Sequence, residues 1–246
     1  MAYIKLDNAG VSFCIYNSKT RSVRTEIFRA IGGRIHSTDS ITYVDAIDGI
    51  DLEIKAGDRV GIIGHNGAGK STTLKLLSGI YEPTKGSVKV EGKISSLTDI
   101  TMGMDPESSG YDNIIMRCIF MGMTLKEARS KVDEIIEFSE LQEYIHLPVR
   151  TYSTGMYLRL AFTTATCVVP DILIMDEMIG TGDSSFIEKA RNRMINLIEK
   201  TSIMAISSHN IQIMKDICNR GIWMEKGKIK MDGPILDVLD AYEKSL

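Results

Sequence analysis

Residues 59 to 77 read RVGIIGHNGAGKSTTLKLL. An apolar run of strand length enters a glycine-rich turn, and a helix-forming run leaves it. Gly64, Gly67 and Gly69 free the backbone so that successive N–H groups converge on one point. The helix that follows aims its positive end at the same point. Lys70 adds a compact positive charge and Ser71 a hydroxyl suited to Mg²⁺. The spacing G-x-x-x-x-G-K-S is complete, so His65, Asn66, Gly67, Ala68, Gly69, Lys70, Ser71 and Thr72 are the expected contacts to a polyphosphate. A strand, loop and helix of this kind belong to an α/β fold with a mainly parallel sheet.

The rest of the chain fits that class. DILIMD (171–176) and SIMAISS (202–208) are apolar runs of strand length, with the amphipathic FIEKARNRMINLIEK between them. Upstream, AYIKLD, VSFCIY and ITYVDAIDGIDLEI are rich in β-branched residues and predict an antiparallel β subdomain. Residues 109–146 predict an inserted lobe that is helical throughout. Residues 17–42 predict an inserted amphipathic segment, with Val23, Ile27, Phe28 and Ile31 at helical spacing and Arg21, Arg24 and Arg29 among them. The expected organisation is one domain over 1–246. Its core is 1–95 and 160–246, and 96–159 holds the interlobe loop, the helical lobe and a second anion-binding motif.

Of 246 residues 43% are hydrophobic and 25% charged, and the net charge is −3. That balance gives no electrostatic reason to expect nucleic acid. No apolar run reaches the ~20 residues needed to span a bilayer, and the N-terminus has no secretory pattern. Cys14, Cys118, Cys167 and Cys218 are scattered and form no CxxC pair; they are expected reduced and mostly buried, as in a cytoplasmic protein. The four histidines are too dispersed for a metal site.

A polyphosphate site of this type needs a carboxylate for Mg²⁺, and Asp176 closes the DILIMD strand. Glu177 follows at once, placed to orient and deprotonate a water aimed at a terminal phosphate. His209 ends the SSH sequence after another buried strand, where it can reach the same water and phosphate. Lys70, Glu177 and His209 are therefore the expected catalytic groups.

TYSTGMYLRLAF (151–162) poses a separate question. Ser153 is a good N-cap for the apolar helix behind it, and Thr154 and Gly155 leave that helix start open to an anion. One nucleotide hardly needs two such helix ends from one chain. A head-to-tail dimer uses both: Ser153–Gly155 of one copy covers the phosphate held by Lys70 of the other.

With these motifs in this order, the chain resembles the nucleotide-binding subunits of ABC transporters. YSTGM stands where the family signature LSGGQ stands, with Ser153 and Gly155 matching. The resemblance implies that ATP with Mg²⁺ binds between two copies, that Asp183 in GTGDSS senses the partner site, and that His209 is the switch histidine. It also implies an aromatic stacked on adenine. Tyr43 is the candidate, with Tyr16 and Phe13 as alternatives. Most members carry a glutamine in the interlobe loop. SSLTDITMGMDPESSGYDN offers Asp99 instead, either as a contact to the metal or its water or as a relay of motion.

GIYEPTKGSVKVEGKISSLTDITMGMDPESSGYDNI, YSTGM and MDEMIGTGD are together similar to ATPases that export O-antigen, capsule and teichoic acid. Residues 17–42 also fit that subgroup. The resemblance implies export of a lipid-linked polysaccharide, with a separate permease dimer as partner and attachment to the cytoplasmic face of the inner membrane. The chain stops at Leu246, which leaves no room for the carbohydrate-binding domain some O-antigen exporters add. The alternatives are an ABC ATPase for another exported substrate, a soluble ABC ATPase acting on nucleic acid or ribosomes, and a small-molecule kinase.

Overall fold

The computed structural model describes residues 2–15, 34–38, 41–177 and 184–245. Most of the 17–42 insertion lies outside the described residues, including the amphipathic run with Arg21, Arg24 and Arg29; only β2 (Arg34–Thr38) and the start of β3 (Ile41–Lys55) fall within it. The chain forms two compact units. The first comprises Met1–Ile94, Asp171–Glu177 and Ser202–Leu246; the second comprises Ser95–Pro170 and Met178–Thr201.

In the first unit, alternation builds an antiparallel sheet of order β2-β3-β1-β5, with β1 at Tyr3–Ile15 and β5 at Lys85–Glu91. Ile4 and Leu6 of β1 and Leu52 and Ile54 of β3 are buried, while Lys5, Asp7, Asp51 and Glu53 between them are exposed. One face therefore meets the core and the other meets water. The register Ile4↔Ile54 and Leu6↔Leu52 keeps the apolar residues in step.

β6 (Ile94–Leu97) follows β5 in the chain, and the parallel core strands of the second sheet have no polar face. β4 (Arg59–Ile63), β7 (Ile172–Asp176) and β8 (Ile203–Ser207) are buried over nearly their whole length. They pair in parallel, β4 with β8 and β8 with β7. β9 (Arg220–Glu225) lies on the other side of β4, also parallel. β10 (Lys228–Pro234) returns antiparallel beside β9 through a Lys226–Gly227 turn in which both residues have positive φ, as a tight hairpin turn requires. Helix α1 (Lys70–Leu77) buries Thr73, Leu74, Leu76 and Leu77, the last three in the shared core, and α6 (Ile211–Ile217) and α7 (Ile235–Glu243) are the later helices of this unit.

The second unit is helical. The sequence predicts 109–146 helical throughout, and here the structure differs. α2 (Gly110–Phe120) and α3 (Leu125–Ser139) are separate, and turns occupy 142–146. The break has a local cause. Gly122 takes φ 88°, and Thr124 and Glu127 form a reciprocal capping box that starts a new helix. α4 (Thr154–Ala165) and α5 (Ser184–Lys200) complete the unit.

The sequence places 160–246 with the core, whereas α5 belongs to the helical unit. Side-chain contacts within that unit explain this. Phe186 meets Phe162 and Phe138 edge to face, and Arg193 lies 4.4 Å from the Phe138 ring. Lys189 and Arg159 both reach Glu140, at 3.1 Å each. Three of the four cysteines are buried, as expected, and Cys14 is exposed. Burial pushes the Cys218 thiol up to about 12, so it stays protonated.

Arg220 joins four segments of the first unit. It donates to the Glu53 carbonyl at 2.8 Å and to Asp58 at 3.0 Å, and it grips Asp232 with two bonds of 2.8 and 2.7 Å. The adjacent carboxylates hold its guanidinium even more firmly charged than usual. Arg220→Met is expected to lower stability by about 2 kcal/mol, the scale of charge-assisted bonds at a half-buried site. A lower urea midpoint at unchanged slope is the measurement that checks it.

Candidate functional site

The phosphate loop is built by close backbone approach. Gly64 takes φ 148°, and a Cβ there would lie 2.3 Å from the Met224 carbonyl. Gly69 takes φ 104°, and a Cβ there would lie 2.7 Å from the Ala46 carbonyl. The β9–β10 turn backs the loop: Gly227 N–H donates to the Ala68 carbonyl at 3.0 Å, and Asp48 N–H donates to Gly227 at 2.9 Å. Lys70 is 9% exposed, and its ammonium donates to the carbonyls of Gly64 (2.7 Å) and His65 (3.1 Å). An ammonium has three donors, so capacity remains for an anion. Burial lowers the Lys70 pKa, and the charges of Asp176 and Glu177 work against that shift. Ser71 is exposed at the head of α1, and Thr72 is half-buried beside it.

The carboxylates arrive from β7. Asp176 is paired in register with Ser207 of β8. Glu177 leaves the strand with φ 65°, a left-handed conformation unusual for a residue with a side chain. Its N–H donates to the Ser207 carbonyl at 2.8 Å, which holds the turn. Its carboxylate accepts from the Ser208 hydroxyl at 3.1 Å and from the His209 N–H at 3.0 Å, with His209 Nε2 at 4.0 Å. Glu177 and the His209 ring remain exposed. A carboxylate fixed by two donors, carried on a strained backbone and facing solvent, is aimed rather than free.

The structure therefore brings Lys70, Asp176, Glu177 and His209 together within the first unit. It also supplies a residue the sequence reading passed over: Ser208 orients Glu177. The signal was present as a second small polar residue after a buried strand.

Ser153 lies in the second unit and caps α4. Its hydroxyl accepts from the Met156 N–H at 3.3 Å. Ser153 and Thr154 are exposed, and a side chain at Gly155 would meet nothing nearer than 3.9 Å, so the helix start is open. Tyr152 anchors the approach through its hydroxyl on the Tyr144 carbonyl at 2.8 Å.

The remaining sequence candidates divide. Tyr43 stands half-buried on β3 opposite Cys14, and Phe13 is 40% exposed with its ring 5.5 Å from Tyr81. The Asp99 carboxylate is engaged locally, accepting from the N–H and hydroxyl of Thr101 at 2.9 and 2.7 Å. Those bonds hold its pKa below the usual carboxylate range, chiefly the one from the hydroxyl. Asp183 and Tyr16 lie outside the described residues.

The family model described as ABC transporter matches residues 47–180. The O-antigen export system ATP-binding protein RfbE of Yersinia enterocolitica is 44% identical over 93% of this chain and 97% of its own length. The chain belongs to the ABC transporter family. It is thus an ATP-binding, ATP-hydrolysing cassette, and the glycine cradle with its buried Lys70 and exposed Ser71 fits a nucleotide triphosphate. A Myxococcus xanthus O-antigen export ATP-binding protein, RfbB, is 42% identical over 91% of the chain, which spans 51% of that relative's length. A teichoic acids export ATP-binding protein, TagH, of Lactococcus lactis is 39% identical over 81% of this chain and 42% of its own length. Among solved structures, a dimeric ATP-binding cassette in a post-hydrolysis state with ADP and Pi has the same fold, at TM-score 0.67 and 21% identity over 94% of this chain and 98% of that one.

The loop geometry makes a direct prediction. Gly69→Ala adds a left-handed strain of about 1–2 kcal/mol and presses a methyl group on the Ala46 carbonyl. ATP affinity, measured by equilibrium binding of labelled nucleotide, should fall at least about tenfold. Gly122→Ala has a similar φ but open space around it, and should leave that affinity intact.

Proposed function

We propose that this chain powers export of a lipid-linked, O-antigen-like polysaccharide across the inner membrane by ATP-driven head-to-tail dimerisation beneath a separate permease dimer. The observation that carries the reading is the 44% identity to an O-antigen export ATPase along almost the full length of both proteins. No described helix is long and apolar enough to cross a membrane, which is in keeping with a path formed by another chain. Attachment at the cytoplasmic face then runs through that permease. Met102 and Phe120, exposed by 58% and 74% in the helical unit, are apolar surface suited to such a partner.

In the composite site, Lys70 and the backbone N–H groups of residues 65–72 hold the phosphates. Ser153, Thr154 and Gly155 of the second copy cover them, with the α4 dipole favouring the negative charge. Ser71 and, through water, Asp176 would hold Mg²⁺, which would supply charge neutralisation for the transferring phosphoryl group. Glu177, aimed by Ser208 and the His209 N–H, takes the proton of the attacking water, and His209 holds the water and terminal phosphate in line. Tyr43 stacks on adenine and Asp183 reads the state of the opposite site. Asp99 organises the interlobe loop through its bonds from Thr101.

Glu177→Gln is expected to slow hydrolysis by ~10²–10⁴ while ATP affinity holds, and to trap a dimer visible by size exclusion with MgATP. A monomer at saturating MgATP, even with the permease present, would refute the composite site. Ser208→Ala frees one side of Glu177. Its hydrolysis rate should drop roughly tenfold, the worth of one charge-assisted hydrogen bond. The transport reading is checked by purification from detergent-solubilised native membranes. A multi-spanning permease should co-purify, and Glu177→Gln should leave lipid-linked glycan inside the cell. Recovery of only soluble or ribosomal partners would overturn it.

A further inference from the structure

His65 is the second residue of the phosphate loop. Its carbonyl accepts from Lys70 at 3.1 Å and from the Ala68 N–H at 3.1 Å, so its peptide belongs to the cradle itself. Its exposed ring does not point into empty solvent. It lies 5.5 Å from the ring of Tyr242, on α7 (Ile235–Glu243), at an interplanar angle of 55°. The other side of Tyr242 meets Trp223 edge to face, with centroids 5.5 Å apart at 77°. Trp223 sits on β9 in register with Ile63, the last residue of the strand that feeds the loop. One tyrosine ring from α7 thus touches the loop and the strand beside it.

Trp223 is unusual in how it is held. It is buried at 5% exposure, and its Nε1–H has no hydrogen-bond partner among the described residues. The Lys230 ammonium lies 3.9 Å from its ring centroid. Ring contacts and that cation, rather than a directed hydrogen bond, fix the indole. Its environment therefore follows the position of Tyr242. Trp223 is also the chain's single tryptophan.

We propose that Tyr242 is a positioning residue for the phosphate loop: its ring, seated between His65 and Trp223, sets the loop for nucleotide and carries loop occupancy to the indole. Phosphate takes the third Lys70 donor, and the ammonium shifts against the Gly64 and His65 carbonyls. The His65 peptide adjusts, its ring moves on Tyr242, and Tyr242 moves on Trp223. This rests on the loop binding ATP and is independent of what is exported.

The test uses the full chain and the emission of Trp223. In the unaltered protein, emission should change saturably with MgATP, at the half-saturation found by equilibrium dialysis of labelled ATP. Tyr242→Leu should raise that half-saturation by about two- to tenfold, the range of an aromatic pair. Its hydrolysis rate at saturation should stay within about twofold of the unaltered protein, since the ring does not touch the carboxylates. Its emission response should vanish. Tyr242→Phe should restore both properties, because the contact is made by the ring and not the hydroxyl. If circular dichroism shows Tyr242→Leu unfolded, His65→Asn removes the contact from the loop side, and the emission response must be lost with it. Flat emission in the unaltered protein while dialysis shows ATP bound would overturn the proposal. So would an unshifted half-saturation in folded Tyr242→Leu, or a response that survives His65→Asn. Absence of ATP binding in the unaltered protein would instead remove the reading beneath it.

Discussion

A buried ammonium organises the first unit. Lys70 is almost wholly withdrawn from water, and a charge in that position is stable only if it is hydrogen-bonded and faced by opposite charge. The two carbonyls that meet it come from its own loop, and the two carboxylate charges come from the end of β7. Strands far apart in sequence must end at the same level for this to happen. The order β4, β8, β7 achieves it, and the fully apolar faces of those strands hold the ends in place.

Glu177 shows how the same economy holds an exposed carboxylate. Asp176 is still a strand residue, in register with Ser207, so the sheet fixes its place. Glu177 is the first residue beyond the strand. It accepts an unfavourable backbone conformation because the Ser207 carbonyl ties its N–H down and Ser208 and His209 tie its carboxylate. Two adjacent carboxylates thereby point to different work: one is fixed by sheet geometry, the other by side-chain and loop hydrogen bonds.

Much of this was legible in the sequence for a simple reason. The loop, the DILIMDE run and the SSHN run each couple a buried strand to the polar group at its end, and both halves of that pattern are local. The helical unit was legible in kind, but its internal break was not, because apolar periodicity runs straight across Gly122 and Thr124. The assignment of α5 failed as well: Phe186, Lys189 and Arg193 find partners on α3, on α4 and after it, and nothing near them in the chain announces this. The same holds for Ser208 on Glu177, for Gly227 against Ala68 and for Tyr242 against His65. Contacts made across such separations leave no period to read.

The position of β4 has a further consequence. Its neighbours in the sheet, β8 and β9, begin at Ile203 and Arg220, and the turn that backs the loop arrives only with Gly227. During vectorial synthesis the glycine loop emerges long before anything that can hold it. The nascent segment carries an unpaired apolar strand on both edges while some hundred and forty residues are still to be added, an interval in which such strands invite mispairing. Folding of this unit therefore waits for its later strands, and nucleotide cannot find a finished cradle until the β9–β10 hairpin has closed over it.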